Sequence, residues 1–239
     1  MPLEPQHELL RRVLERVGDD PRFAGVTVTG SLAADAADAD EYSDVDLALA
    51  VHDEHYDAVL NGRLALIADW VPLVAGFTGE HVGEPRVIIT LVGPPPVHVD
   101  FLFVRASEVD SALHRGPFDP QWVEDRFWVW VHYAATKLGR GELFEVLDFL
   151  AFLRGAALGP LAALQAGASP RGVRRLERVA PAEALALRAT VGGYELDSAA
   201  AAVRASIDLY RRWRPASVDR NTLAETVAVA YLDQVVPDR

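Results

Sequence analysis

The stretch from Val26 to Val51 constrains this chain more than any other. It opens with a β-branched run, Val26-Thr27-Val28-Thr29, that ends in Gly30-Ser31, the pattern of a buried strand stopping at a tight turn. Further on, Ser43-Asp44-Val45-Asp46 heads a second apolar run, Leu47 to Val51. Side chains two apart in a strand point to the same face, so Asp44 and Asp46 are expected to project together. Two carboxylates that close repel each other unless something positive lies between them. Mg²⁺ fits this arrangement, because it takes one or two carboxylates, keeps waters and shares phosphate oxygens. The Gly-Ser turn adds backbone N–H groups and a hydroxyl, which suit a phosphate. A phosphate cradle beside paired carboxylates predicts nucleotide handling.

A third piece lies at Val97-His98-Val99-Asp100-Phe101-Leu102-Phe103. Alternation puts Val97, Val99, Phe101 and Phe103 on a packed face, with His98, Asp100 and Leu102 opposite. If this strand lies beside the Asp44 strand, Asp100 completes a three-carboxylate cluster able to hold two Mg²⁺ ions. With these parts in order, the chain resembles the nucleotidyltransferase superfamily related to DNA polymerase β. Gly30, Ser31, Asp44, Asp46 and Asp100 match that pattern residue by residue, over roughly the first half of the chain. The segment after the turn departs from it: Asp35, Asp38, Asp40 and Glu41 make it acidic, and it lacks the glycine often found there. Those acids read as a solvated loop or short helix, not as further ligands.

The 239 residues suffice for one large domain or two smaller ones. No unbroken apolar run reaches about 18 residues, which argues against a membrane span. The start, Met1-Pro-Leu-Glu-Pro-Gln-His-Glu8, has no basic-then-apolar signal region. Without cysteine there are no disulfides or thiolate metal sites, and the cytoplasm is the simplest location. A net charge of −12 argues against a general nucleic-acid binder and accords with a small cationic substrate. Of 23 Lys and Arg residues only Lys137 is lysine, which singles out a place where a compact ammonium is wanted.

In chain order, Gln6–Val17 has helical spacing, with Leu9, Leu10, Val13, Leu14 and Val17 inward. Glu54–Trp70 reads as a second helix that buries Val59, Leu60, Leu64, Ile67 and Ala68. Val71–Phe77 and Arg86–Val92 read as strands, and Gly93-Pro-Pro-Pro96 turns the latter into the Asp100 strand as a hairpin. Arg105–Pro120 reads as a connector, followed only by helices: Gln121–Leu138, Glu142–Leu153 with a break near Gly159-Pro160, Pro181–Val191, Asp197–Trp213 and Asn221–Val235. Arg171–Arg178, the one basic run, reads as a solvated helix face. The expected class is α+β: a mixed-sheet catalytic domain over residues 1–108, then a helical, substrate-binding bundle over 109–239.

Arg126, Trp130, Tyr133 and Lys137 fall on adjacent turns of one helix, an aromatic stripe with basic ends. Gly139 and Gly141 break that helix beside Lys137, so a cation and the acid Glu142 meet at an interhelical corner of the kind that faces clefts. The Lys137…Arg140-Gly141-Glu142 corner is similar to the helical domain of antibiotic nucleotidyltransferases that modify aminoglycosides and lincosamides.

That resemblance implies that Lys137 contacts the triphosphate and that Glu142 takes the proton of the attacking hydroxyl. Glu142 also reads, more simply, as a first-turn acid favoured by the helix dipole, and Glu145 and Asp148 could line a cationic-substrate pocket. The implied reaction is transfer of a nucleoside monophosphate, AMP from ATP in the first instance, to a small-molecule hydroxyl. Asp44, Asp46 and Asp100 would hold two Mg²⁺ ions, Gly30 and Ser31 the phosphates, and a homodimer would be in keeping with the family. The rival readings are an antitoxin-type minimal nucleotidyltransferase with a protein partner and a non-catalytic nucleotide-binding module.

Overall fold

The computed structural model describes residues 3–33, 39–113 and 116–236. The chain divides into two compact units, residues 1–116 and 117–239. The first contains helix α1 (Glu4–Asp19), strands β1 (Phe23–Thr29) and β2 (Val45–Val51), helix α2 (Tyr56–Trp70), strands β3 (Leu73–Gly79), β4 (Glu84–Val92) and β5 (Val97–Arg105), and the short helix α3 (Val109–Leu113). The strands form one sheet in the order β1-β2-β5-β4-β3, in which only the β2–β5 pair is parallel. The α+β class and the β4–β5 hairpin are those the sequence predicts.

One face of the sheet is packed. Val45, Leu47, Leu49 and Val51 of β2 and Val97, Val99, Phe101 and Phe103 of β5 share a core with Leu9, Val13 and Val17 of α1 and Tyr56, Val59, Ile67 and Trp70 of α2. Phe23 and Trp70 meet edge to face at 5.4 Å, and the Tyr56 hydroxyl donates to the Phe103 carbonyl at 3.2 Å. Strand alternation therefore turns Asp46 and Asp100 to the opposite face.

Three inward expectations fail at the rim of this core. Leu14 and Leu64 are 42% and 41% exposed, and Ala68 is exposed. Leu64 lies over Gly76 of β3, an edge strand of the sheet, so the residue it faces there offers no side chain. The expected connector also differs: residues 109–113 coil into α3, because the breakers Gly116-Pro117 and Asp119-Pro120 come only after it.

The second unit is helical: α4 (Pro120–Arg140), α5 (Leu143–Leu153), α6 (Gly159–Gln165), α7 (Leu176–Val179), α8 (Pro181–Leu187), α9 (Leu196–Trp213) and α10 (Thr222–Val235). Asp119 caps α4 by accepting the Gln121 N–H, and Asn221 caps α10 by accepting that of Ala224. The expected break near Gly159-Pro160 is absent. A π turn at Arg154–Leu158 joins α5 to α6, with the Gly159 N–H reaching back to the Arg154 carbonyl. The widened turn takes in a proline that an α-helix interior would reject.

The resulting helix, Leu143–Gln165, is long and apolar enough to cross a membrane, yet Val146, Leu150, Leu153, Leu158 and Leu161 are buried in this unit's core. The basic run is also different from its expected form. It is mostly turn, with Arg175 at φ 56 and only Leu176–Val179 helical, although Arg171, Arg174 and Arg178 are solvent-exposed.

Candidate functional site

Gln6, on the buried side of α1, sets the approach to the carboxylates. Its Nε2 donates to the Glu41 and Ser43 carbonyls, both at 3.3 Å. The Asp40–Ser43 turn is closed by the Ser43 N–H to the Asp40 carbonyl and by Asp40 N–H to Ser43 Oγ, each 3.0 Å. The turn delivers the chain to Asp44, one residue ahead of β2. Asp35 and Asp38 of the acidic segment lie outside the described residues.

The sheet register then aligns one row across all five strands. Thr29 pairs with Asp46, Asp46 with Asp100, Asp100 with Ile89, and Ile89 with Phe77. Neighbouring strands lie about 4.8 Å apart, so the Asp46 and Asp100 carboxylates stand side by side on the face away from the core. The Gly30-Ser31 turn closes on the same row. Gly30 has φ +66, and a Cβ built there would lie 1.8 Å from Asp46 Oδ2. Only glycine allows that approach. Ser31 is buried, and its Oγ has no hydrogen-bond partner among the described residues. A buried, unsatisfied hydroxyl costs free energy unless a ligand uses it.

The structure thus brings Gly30, Ser31, Asp46 and Asp100 together. Asp44, half-buried, sits just outside the strand, so the alternation of β2 does not fix its direction. Asp100 Oδ1 is engaged by His98 Nε2 at 2.9 Å. Among the described residues no three His, Cys, Asp or Glu side chains stand as a ready ion site. The chemistry of the donors still suits Mg²⁺, which is satisfied by one or two carboxylates when waters and phosphate oxygens fill the other positions. His98 is the residue that sequence reasoning placed on the Asp100 face without giving it a role. Its spacing of two from Asp100 was the available signal.

The two glycines of the second unit's corner act separately. Gly141, at φ +70, ends α4: its N–H bonds the Leu138 carbonyl and the Glu142 N–H bonds that of Lys137, both at 3.0 Å, a Schellman motif. Gly139 stays helical, and its missing side chain makes room for Val235, which a Cβ would approach to 2.9 Å. Lys137 Nζ pairs with Glu142 at 2.8 Å and Glu145 at 2.5 Å, and the Tyr133 hydroxyl donates to Glu145 at 2.9 Å. The hydrogen bonds to Glu142 and Glu145 push the Lys137 pKa up, and those from Lys137 and Tyr133 pull that of Glu145 down.

From this corner an aromatic ladder runs along α4 and α5: Tyr133–Phe149, Phe149–Phe152, Phe152–Trp130 and Trp130–Trp122, with ring centroids 4.9–5.6 Å apart. Arg126 caps its far end over the Trp122 ring at 4.4 Å. Tyr133, Trp122 and Phe152 remain more than two-fifths exposed. Elsewhere, a groove of about 500 Å³ between α1 and the end of α2, lined by Arg12, Glu15, Arg16 and Asp69 among others, contains none of the predicted site residues.

No protein-family model matches the chain, and neither does any curated protein. Among solved structures it is similar to an aminoglycoside 6-adenyltransferase from Bacillus subtilis, at 14% identity and a TM-score of 0.42, over 98% of this chain and 99% of that one. At that identity and score, no residue role is carried from that protein to this one.

Proposed function

We propose that this chain is a Mg²⁺-dependent nucleotidyltransferase that moves a nucleoside monophosphate, AMP from ATP in the first instance, to a hydroxyl of a small cationic acceptor in the cytoplasm. One observation carries the reading. Asp46 and Asp100 pair in register on the open sheet face, against a glycine turn whose buried Ser31 hydroxyl has no partner among the described residues. In this assignment Asp44 and Asp46 would hold the ion that binds the nucleotide phosphates, Asp100 would join them on a second, and Gly30 and Ser31 would hold phosphate oxygens. Bound Mg²⁺ would neutralise phosphate charge and make the acceptor hydroxyl more acidic. The rest of the acceleration comes from positioning, as is general for phosphoryl transfer.

For Lys137 and Glu142 we keep the roles that the motif resemblance implies, a phosphate contact and the acceptor of the hydroxyl proton. The acceptor class rests on that resemblance, on the net charge of −12, and on a helix face where Glu145 and Asp148 flank exposed rings that attract cations. Aminoglycosides and lincosamides are the first candidates. One rival, a nucleotide-binding module without catalysis, is favoured by the lack of a ready three-ligand ion site among the described residues.

Mass spectrometry separates the two. The protein is incubated with Mg²⁺, each nucleoside triphosphate and an acceptor panel, with Asp46→Asn as the blank. The expected result is a mass gain of one nucleoside monophosphate on an acceptor, absent in the blank. Triphosphate binding without transfer to any acceptor would favour the module instead.

A further inference from the structure

His98 and Asp100 sit two residues apart on β5 and share its open face. His98 Nε2 lies 2.9 Å from Asp100 Oδ1, with the two side chains 55% and 31% exposed. His98 pairs in register with Leu91 of β4, itself 42% exposed, so the imidazole lies on the apolar flank of the carboxylate row. As an exposed pair this contact adds little to stability. Its effect on Asp100 is larger: a carboxylate bonded at one oxygen has its plane set, and the other oxygen becomes the one offered to a ligand. Mg²⁺ demands near-ideal octahedral geometry, so the orientation of each carboxylate matters.

We propose that His98 is a positioning residue for Asp100, its Nε2–H holding Oδ1 so that the carboxylate meets a divalent cation shared with Asp46 in a fixed orientation. The proposal rests on the reading of that row as a metal site. Partners that orient a ligating group in this way are typically worth about 10–100-fold in metal affinity or activity.

The test is Mn²⁺ titration of the full-length chain followed by electron paramagnetic resonance, since Mn²⁺ takes the same oxygen donors as Mg²⁺. The Mg²⁺ concentration for half-maximal transfer is read alongside. The variants are His98→Ala, His98→Gln, which keeps an N–H donor at similar reach, and Asp46→Asn. His98→Ala is expected to weaken Mn²⁺ about 10–100-fold, Gln to recover most of the loss, and both to melt as the wild type does. If Asp46→Asn weakens Mn²⁺ but His98→Ala does not, or if Gln is no better than Ala, the positioning role is overturned and the metal site stands. If the wild type binds no Mn²⁺, or binds it equally well as Asp46→Asn, the reading of the row fails and the inference with it.

Discussion

Two carboxylates in this molecule have opposite surroundings. Glu124 of α4 has a fully buried side chain and complete satisfaction: Tyr210 donates at 2.5 Å, Trp128 Nε1 and the Asn221 N–H at 3.0 Å, and Arg214 at 3.3 Å. These partners tie α4, α9 and the cap of α10 together. Asp46 is half-buried, pressed by a glycine turn, and stands beside a second carboxylate and a hydroxyl that has no hydrogen-bond partner among the described residues. A buried charge with every lone pair answered holds a fold together. A carboxylate beside a like charge, set against a glycine turn, is an arrangement whose repulsion a cation relieves. Burial alone would therefore have picked the wrong acid as functional.

The comparison breaks first at Glu124. Glu124→Ala leaves Arg214 and Tyr210 without their shared partner, and a loss of about 3–5 kcal/mol is expected by chemical denaturation, with transfer per folded molecule unchanged. Burial pushes the Glu124 pKa up, but the bonds from Tyr210, Trp128 and Asn221, with the charge of Arg214, carry it below the usual carboxylate value. A depressed folded pKa gives stability that is present above the unfolded value, near 4.5, and lost as pH falls through the folded one. The slope of stability against pH below about 4.5 is accordingly expected to be shallower in Glu124→Gln than in the wild type. An equal slope in both would remove Glu124 as the acid-sensitive tie.

At the second unit's corner, Glu142→Gln is expected to lower kcat about 100-fold, at the low end for general-base removal, with nucleotide KM held. A change within about threefold would reduce Glu142 to a structural partner of Lys137. A smaller loss of stability than at Glu124 is expected of Gly30→Ala, which sets a side chain against Asp46 at positive φ. About 1–3 kcal/mol of stability should go, together with transfer, whereas Gly141→Ala, at similar φ but in open space, should cost stability alone. If both variants keep transfer, the glycine turn is not part of the site.

Much of this was legible in the sequence, for identifiable reasons. Strand alternation over residues 97–103 and the β-branched run ending at Gly30-Ser31 are local signals, and they separated Asp100 from the packed face. The helices expected from Gln121 and Asn221 do begin there, capped in the structure by Asp119 and Asn221. What failed is not written in the local apolar spacing. Leu64 is exposed because its neighbour across space is Gly76, and Pro160 is accommodated by a π turn that periodicity cannot register. Glu124 went unread although it interrupts the apolar stripe of Val123, Phe127, Trp128 and Val131, a position where an acid must have buried partners. Alternation puts His98 on the right face, but its 2.9 Å contact with Asp100 is a matter of side-chain geometry that alternation does not fix.

Equilibrium binding of the four nucleoside triphosphates, measured calorimetrically with and without Mg²⁺, tests the central claim most directly. The account predicts that at least one binds the wild type only with Mg²⁺, and that Asp46→Asn and Asp100→Asn each abolish that dependence while melting normally. Binding that ignores both the metal and the two aspartates, or no binding of any triphosphate, would contradict it.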